Sequence, residues 1–369
     1  MKLNCHRGSL SSALQIVSGV IPARTPKEIL KNVKLQVTDK EISLIGTDLE
    51  TSIRYVLKDC EADSSGEVLL HTSRLQSILR ELPDERVSLE ATPEALIVKG
   101  GRSRFQLGIQ DPSEFPTVSA FAEENYHLIE AGAFREMIRR TIFSCDVEST
   151  RYALGGVLVE LGSNTVTMAA TDSRRLAVVT SPCSTQGTVE DKKSPVIPHR
   201  AMNLLERSLS DGDEQVKLAV RGNDVVVQAG QSTLYSRVVD GRFPRYQDVI
   251  PREFNATIDL VAGPFYSTVR QAQIVTDQES RGVDFEFSSE ALTLVSRAPD
   301  IGESRIEHPV SYTGDEMKIT FDPRFLAEFL RVLDSETLVQ FCLINAQSAA
   351  VFKVGDTYTY VIMPLAQDH

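Results

Sequence analysis

Three short motifs recur three times along this chain, at intervals of about 125 residues. Each unit contains a Thr-Asp pair after an apolar strand, then a basic segment with helical spacing, and finally a residue followed by proline. The Thr-Asp pairs are Thr47-Asp48 and Thr171-Asp172, with a degraded copy at Pro299-Asp300, and the closing dipeptides are Phe115-Pro116, Phe243-Pro244 and Met363-Pro364. A repeat of this length predicts three domains, each large enough to bury a core of its own.

The repeats also predict domain boundaries and the order of secondary structure. Polar residues and proline interrupt the pattern near 121–126 and 251–255, which predicts domains at 1–125, 126–252 and 253–369. Within each domain, alternating strand patterns flank two helices that are apolar on one face. The predicted helices are 10–22, 73–81, 134–145, 199–209, 264–276 and 323–333. The predicted fold class is therefore α+β, with three similar domains, each built from two similar halves.

Composition and cysteine usage narrow the class of protein. The 369 residues are 41% hydrophobic and 24% charged, which is ordinary for a globular chain, and no apolar run reaches the length of a membrane span. The first residues have a strand pattern and lack the apolar core of a signal peptide. Five widely spaced cysteines without a Cys-x-x-Cys pair argue against a disulfide framework or a zinc site. We therefore expect a cytoplasmic protein.

Arginine is concentrated on the predicted helices of a chain that is acidic as a whole. The net charge is −12, yet the six helices carry ten arginines against four glutamates, a net +6 that leaves −18 for the remainder. Helices that share a surface would make it attract a polyanion, while the rest of the protein repels one. The alternative is a scatter of solvated arginines. An arginine near the start of the second helix of every unit (Arg74, Arg200, Arg324) favours a shared surface.

We find no motif for catalysis, a cofactor or a metal. The sequence lacks a P-loop, the glycine pattern of a dinucleotide fold, His-Glu-x-x-His and Gly-x-Ser-x-Gly, and its six histidines do not have the spacing of metal ligands. Thr47-Asp48 and Thr171-Asp172 could supply a nucleophile or a base, but such pairs more commonly bond their own backbone in a turn. We therefore predict turn chemistry at both pairs, and a protein that is not an enzyme and uses no metal or cofactor.

Several segments, taken together, are specific enough to indicate a family. They are 17–24, 46–50, 101–105, Thr-Asp-Ser-Arg-Arg-Leu-Ala at 171–177, Val-Asp-Gly-Arg-Phe-Pro at 239–244 and Tyr-Val-Ile-Met-Pro at 360–364. They span nearly the whole chain. In this order the segments resemble the bacterial DNA polymerase III beta subunit, the family of replicative sliding clamps.

The resemblance implies a ring. Two chains, each with three similar clamp domains, would join head to tail as a homodimer with helices lining the hole and antiparallel sheets outside. Such a ring encircles double-stranded DNA without reading its sequence and tethers the replicative polymerase, which gives processivity. The other partners implied are an ATP-dependent clamp loader, repair polymerases and further clamp-motif proteins, with no membrane. Weak phosphate contacts suffice for sliding, and a net +6 on the helices agrees with that.

The resemblance also assigns roles to individual residues. Positions that match DNA-facing ones are Arg24, Ser73, Arg74, Arg80, Glu148, Tyr152 and Arg200. Positions that match a hydrophobic cleft for short linear peptides are Leu154, Thr171, Ser173, Arg174, Arg175, Leu176, Pro244, Val249, Ser348, Val361, Ile362, Met363 and Pro364. Positions that match the subunit contact are Arg74, Ile78, Arg102, Arg104 and Phe105 on one side, with Ile274, Val275, Asp300, Glu303 and Glu307 on the other.

The chain departs from the family pattern at a few of these places. Ser73, Glu148 and Ala153 replace residues that close relatives can use near DNA. Near the cleft, Asp248 stands in place of an arginine and Ser280 in place of a phenylalanine, and 367–369 extend past the usual end.

Other interpretations were weighed against the clamp. An enolpyruvyl transferase also contains internal repeats, but it would need charged side chains clustered around a phosphorylated substrate, whereas these arginines are distributed over all three units. A plain nucleic-acid-binding module would bind linear duplex fragments without a loader. Without the resemblance, Leu176, Val361 and Ile362 would be interpreted as core residues of strands.

Overall fold

The computed structural model describes residues 1–148, 152–189, 193–209, 214–276, 282–289 and 291–365. Its α-helices are α1 Arg7–Ser18, α2 Thr72–Glu81, α3 Ala131–Thr141, α4 His199–Ser208, α5 Ala262–Ala272 and α6 Pro323–Arg331. Strands β1 to β9 are Lys2–His6, Asn32–Val37, Ile42–Thr47, Thr51–Leu57, Cys60–Ala62, Gly66–His71, Arg86–Ala91, Ala95–Gly100 and Ser103–Gly108. Strands β10 to β18 are Tyr126–Glu130, Gly156–Leu161, Thr165–Thr171, Arg175–Pro182, Ser184–Gln186, Val196–Pro198, Gln215–Arg221, Asp224–Ala229 and Ser232–Arg237. Strands β19 to β26 are Ala256–Val261, Val283–Phe287, Ala291–Ala298, Gly302–Pro309, Met317–Phe321, Leu338–Leu343, Ala350–Val354 and Tyr358–Ile362.

The first of two compact units comprises residues 1–135 and 183–238. It contains a sheet with strand order β5-β1-β7-β8-β9 and another with order β14-β10-β16-β17-β18-β4-β3-β2-β6. The second sheet runs across the predicted boundary at 125, because β4 pairs with β18 and places Ile53 opposite Leu234. Both side chains are buried, so the core continues from the first repeat into the second.

The other unit comprises residues 136–182 and 239–369. One sheet contains the order β11-β12-β13-β26-β25-β24-β19, and the other has the order β22-β21-β20-β23. Here β13 pairs with β26 and places Leu176 opposite Val361, again across a predicted boundary. The class predicted from the sequence, α+β with antiparallel sheets, is confirmed; the boundaries at 125 and 252 stay a prediction.

All six predicted helices are confirmed to within four residues, and α1 and α3 are each displaced by three to four residues toward the N-terminus. Helix α1 illustrates the displacement. It begins at Arg7, because the His6 side chain accepts a hydrogen bond from the Ser9 backbone N–H and caps the first turn. It ends at Ser18, where the Gly19 N–H bonds the Ile16 carbonyl. Val20, which the prediction of 10–22 placed in the helix, lies in the turn that follows.

The spacing of the cysteines argued against disulfides, and this expectation was wrong for one pair. Cys5 and Cys60 lie opposite each other on β1 and β5 and form a disulfide. The antiparallel register brings together two cysteines that are 55 residues apart, which spacing alone did not reveal. Cys145 forms no disulfide, and burial raises the pKa of its thiol to about 12, so it stays protonated and inert at neutral pH.

Across the part of the chain that the structure describes, every helix is too short or too polar to cross a membrane.

Candidate peptide cleft and nucleic-acid interface

The second Thr-Asp pair forms a tight turn between β12 and β13. The Thr171 hydroxyl donates to the Arg175 carbonyl at 2.6 Å and accepts from the Ser173 N–H at 3.1 Å. Asp172 Oδ1 accepts from the N–H groups of Arg174 and Arg175 at 2.9 and 3.0 Å. These bonds hold Ser173 at a φ of +75°, in the left-handed region. The predicted turn chemistry is confirmed.

The first Thr-Asp pair makes the same turn. Thr47 Oγ1 accepts from the Leu49 N–H at 3.0 Å, and Asp48 Oδ1 accepts from the N–H groups of Glu50 and Thr51 at 3.0 and 2.7 Å. Leu49 is held at a φ of +81°. Leu49 and Ser173 therefore occupy equivalent exposed positions, and side-chain hydrogen bonds from the Thr-Asp pairs stabilise their left-handed backbone conformation.

Arg175 fixes the turn to the rest of its unit. Its Nε donates to Asp172 Oδ2 at 2.9 Å, its Nη2 donates to the Phe143 carbonyl at 2.6 Å, and its Nη1 pairs with Glu328 on α6. The guanidinium also lies over the Phe325 ring, 4.4 Å from its centroid. Although Arg175 is buried, every polar edge of its side chain has a partner, so the charge is stable there.

A cavity of about 290 Å³ opens beside this turn. Nine residues predicted for the cleft line it, and their side chains come from the turn, from β13, from the end of β26 and from the segment after Phe243. They are Thr171, Ser173, Arg174, Arg175, Leu176, Pro244, Val249, Val361 and Met363. Met363 and Val249 are large apolar side chains that remain about half exposed. The cavity thus offers an apolar surface with a polar rim, which suits a small group of side chains.

Four predicted cleft residues do not line this cavity. Leu154 and Ile362 are buried, and Ser348 and Pro364 are partly exposed outside the lining. Ile362 points away because it alternates with Val361 and Met363 along the strand. The interpretation of Ile362 as a core residue, which we set aside for the cleft, describes its position better.

Two lining residues, Arg245 and Tyr246, were missed by the sequence analysis. Tyr246 packs edge-on against Phe243, and its hydroxyl donates to Glu160. Burial, with the bond to Glu160, raises the pKa of Tyr246, so it remains neutral. The Phe243-Pro244 motif marks this segment, but neither residue has a periodicity that would show it facing a cavity.

The residues predicted to face DNA have different surroundings. Arg24, Ser73, Arg74, Arg80 and Glu148 are exposed, and Arg80 contacts Glu81. Arg200 pairs with Asp48 at 2.7 Å and donates to the Val20 carbonyl at 2.9 Å, so it also connects α4 to the first turn. The Tyr152 side chain, Ser280 and residues 367–369 lie outside what the structure describes.

The helix arginines are less uniformly available than their number suggested. Arg140 pairs with Glu136, Arg324 pairs with Asp322, and Arg135 donates to the Leu209 carbonyl at the end of α4. Within the described ranges, the helix arginines that are exposed and make no ion pair are Arg74, Arg207, Arg270 and Arg331. Asp48 and Asp322 lie outside the predicted helices, so the count of +6 overstated the free positive charge.

The residues predicted for the subunit contact lie on or beside two sheet edges and on two helical segments. Phe105, with Arg102 and Arg104 nearby, belongs to β9, which is an edge strand. Glu303 and Glu307 lie on β22, the edge of another sheet, which follows the turn that contains Asp300. Ile274 is 76% exposed beside the partly buried Val275. Ile78 is buried in its own unit, so little of its side chain is available to a partner.

Among the described residues, no group of three or more His, Cys, Asp or Glu side chains is placed to hold a metal ion.

Comparison with known proteins gives the same family over the full chain. Family models of the DNA polymerase III beta subunit match residues 1–119 (N-terminal domain), 128–245 (central domain) and 247–366 (C-terminal domain). The beta sliding clamp of Pseudomonas aeruginosa is 30% identical over 372 residues, covering 99% of this chain and all of the relative. That of Escherichia coli K12 is 28% identical over 368 residues, with coverage of 99% and 100%.

Solved structures agree. The crystal structure of the Pseudomonas aeruginosa DNA polymerase III subunit beta superposes with a TM-score of 0.90, covering 99% of this chain and 100% of that one. The Bacillus subtilis sliding clamp, at 22% identity, shares the fold with a TM-score of 0.92 and full coverage of both chains.

Fold and sequence together define a replicative clamp of three α+β repeats. The chain belongs to the DNA polymerase III beta subunit family. It is a sliding clamp, a non-catalytic processivity subunit of the polymerase with DNA and polymerase as partners, and the transferase alternative is not supported.

Replacing Arg175 with methionine should lower the apparent free energy of unfolding of its unit by about 3 kcal/mol, because Asp172 and Glu328 lose their buried partner. Urea unfolding followed by circular dichroism measures this. The control is Arg174→Met, an exposed neighbour, which should change stability by less than about 0.5 kcal/mol. Equal effects of the two substitutions would rule out the structural role of Arg175.

Proposed function

We propose that two copies of this chain join head to tail through β9 of one copy and β22 of the other. Each strand has one bonded neighbour in its sheet, so its other side carries N–H and C=O groups that another strand can pair with. Arg102 and Arg104 near one edge complement Glu307 on the other, which also carries Glu303 in an ion pair with Arg297 at 3.2 Å. This pair of complementary open edges is the observation that supports the ring best. Because the contact is heterologous and repeated about a twofold axis, the assembly closes.

The closed ring would hold duplex DNA through weak contacts with phosphates. The exposed arginines Arg24, Arg74, Arg207, Arg270 and Arg331 supply positive charge that can contact phosphates in any sequence. In this proposal α1 to α6 line the hole and the acidic remainder of the protein faces outward. Topological linkage, not affinity, then retains the clamp, so modest salt-sensitive contacts are sufficient.

The cavity beside the second Thr-Asp turn is the proposed binding site for short peptides of partner proteins. Leu176, Val361, Met363 and Val249 give apolar contacts that linear peptides with two or three large side chains can fill. The solved clamp of Pseudomonas aeruginosa includes a form bound to griselimycin, so a clamp of this fold accepts a ligand. The replicative polymerase, a separate ATP-dependent clamp loader and repair polymerases are the partners proposed here, in the cytoplasm.

The substitution Ile274→Asp should convert the dimer to monomers, because a charge would replace a highly exposed apolar side chain at the proposed contact. Size-exclusion chromatography with light scattering at micromolar concentration gives the mass directly. Leu338→Asp is the control, since Leu338 is 68% exposed but lies on β24, which pairs on both sides. A dimer that survives Ile274→Asp would remove this surface from the contact.

Arg24→Ala should weaken retention on DNA and reduce the slope of log affinity against log salt by about one unit, as expected when one phosphate contact is lost. Equilibrium titration of the clamp with a linear duplex, which cannot hold a ring by topology, across a salt series measures the slope. Arg86→Ala, which removes an exposed arginine from β7, should leave it unchanged. If the slope for Arg24→Ala matches that of the original protein, Arg24 does not contact a phosphate.

Met363→Asp should abolish binding of a clamp-motif peptide while the ring stays assembled, because the substitution places a carboxylate on the apolar wall of the cavity. Fluorescence polarisation with a labelled peptide measures affinity. Leu49→Asp is a matched control: Leu49 and Met363 are 46% and 47% exposed, and Leu49 occupies the first Thr-Asp turn. Retained affinity in Met363→Asp would place the peptide elsewhere.

A further inference from the structure

The cleft carries two arginines whose charge the protein does not neutralise. Arg174 and Arg245 line the cavity and are exposed, and neither forms an ion pair with any residue in the described ranges. The third arginine, Arg175, is fully occupied by Asp172 and Glu328 and is not available to a ligand. The described residues that line the cavity include no acid. Two positive charges therefore border an apolar surface, and of the nearest acids Asp172 pairs with Arg175 while Asp248, beside Val249, forms no ion pair within the described ranges.

The first Thr-Asp turn has a cross-strand ion pair that has no counterpart at the second. There the Arg237 N–H donates to the Glu50 carbonyl at 3.0 Å, as the Met363 N–H donates to the Arg174 carbonyl at 2.8 Å. Glu50 thus occupies the place of Arg174, and Arg237 that of Met363. The side chains of Glu50 and Arg237 form an ion pair at 3.4 Å. At the cleft an arginine is adjacent to a methionine instead, so this cross-strand position supplies no such partner for Arg174.

Both arginines stand on fixed backbone. The Arg174 N–H bonds Asp172, and its carbonyl accepts from Met363. Arg245 lies between Pro244 and Tyr246, and the Tyr246 N–H bonds the Pro244 carbonyl at 2.8 Å. Because the backbone is already ordered, only side-chain freedom is lost when a guanidinium pairs with a ligand. A guanidinium forms two parallel bonds with a carboxylate, and a partly apolar surround strengthens them.

We propose that the cleft selects linear peptides that carry a carboxylate next to their apolar anchors, and that Arg174 and Arg245 determine this specificity. The proposal rests on the proposed function of the cleft as a peptide site. The occupant is a peptide and not a nucleic acid, because Leu176, Val361 and Met363 provide apolar area that bases and phosphates do not fill.

The test uses the full-length clamp and fluorescein-labelled heptapeptides with one leucine and one phenylalanine anchor. A single Asp, Asn or Lys is placed in turn at each remaining position, with alanine elsewhere. At one position or more, Asp should bind about fivefold more tightly than Asn, and Lys more weakly than Asn. The gain should shrink as salt rises. The double variant Arg174→Gln/Arg245→Gln should bind the Asp and Asn peptides equally.

Controls separate this proposal from the function on which it rests. Arg242→Gln removes a nearby exposed arginine that does not line the cavity, and it should keep the preference for Asp. Circular dichroism checks the fold of each variant. If Met363→Asp abolishes binding but the Asp, Asn and Lys peptides bind the original protein equally, the charge selectivity is wrong and the cleft stands. Binding that Met363→Asp leaves intact would overturn the cleft itself. Loss of affinity for duplex DNA, but not for the Asp peptide, in the double variant would assign the arginines to nucleic acid and refute the proposal.

Discussion

The cleft depends on the burial of one guanidinium. Arg175 joins the turn at Asp172, the carbonyl of Phe143 and the helix residue Glu328, which come from three separate parts of the unit. A buried charge is costly unless all of its partners are in place, so these elements are ordered together or not at all. The neighbouring strand positions, Leu176 and its cross-strand partner Val361, are thereby held as a rigid floor before any ligand arrives.

The Thr-Asp turns of the first and second repeats have different surroundings, and a few residue differences between the repeats explain this. Thr51 stands where Arg175 stands in the second copy, so the first turn lacks the buried guanidinium and is instead tied to α4 by Asp48 and Arg200. The closing motif also differs. Phe115 is buried against Ile45 and Leu69 in the first repeat, whereas Met363 remains half exposed in the third. In the third repeat the uncovered Met363 side chain forms part of the lining of the apolar cavity.

What the sequence predicted well is local, and what it missed is long-range. Helical periodicity and the Thr-Asp turns each depend on neighbours within about ten residues, and both were predicted correctly apart from helix ends that differ by up to four residues. The Cys5–Cys60 bond, the pairing of Arg200 with Asp48 and the placement of Arg245 in the cavity depend on which strands and loops meet. No periodicity encodes such meetings. The nine cleft positions that line the cavity were predictable only through resemblance to a family. The family assigns matched segments that are distant in sequence to one cleft.

The distribution of charge on the helices bears on how a clamp moves. Counting residues gave +6, but Asp322 and Asp48 each hold an arginine that the count treated as free, Arg324 and Arg200 respectively. A guanidinium paired with a carboxylate still donates hydrogen bonds, yet its long-range attraction for a polyanion is largely cancelled. Affinity for DNA falls steeply with each phosphate contact removed, so in the proposed ring these ion pairs would weaken the attraction for DNA while keeping the helices and turns in position. For a protein retained by topology, a weak hold is useful because every tight contact would have to break at each step of sliding.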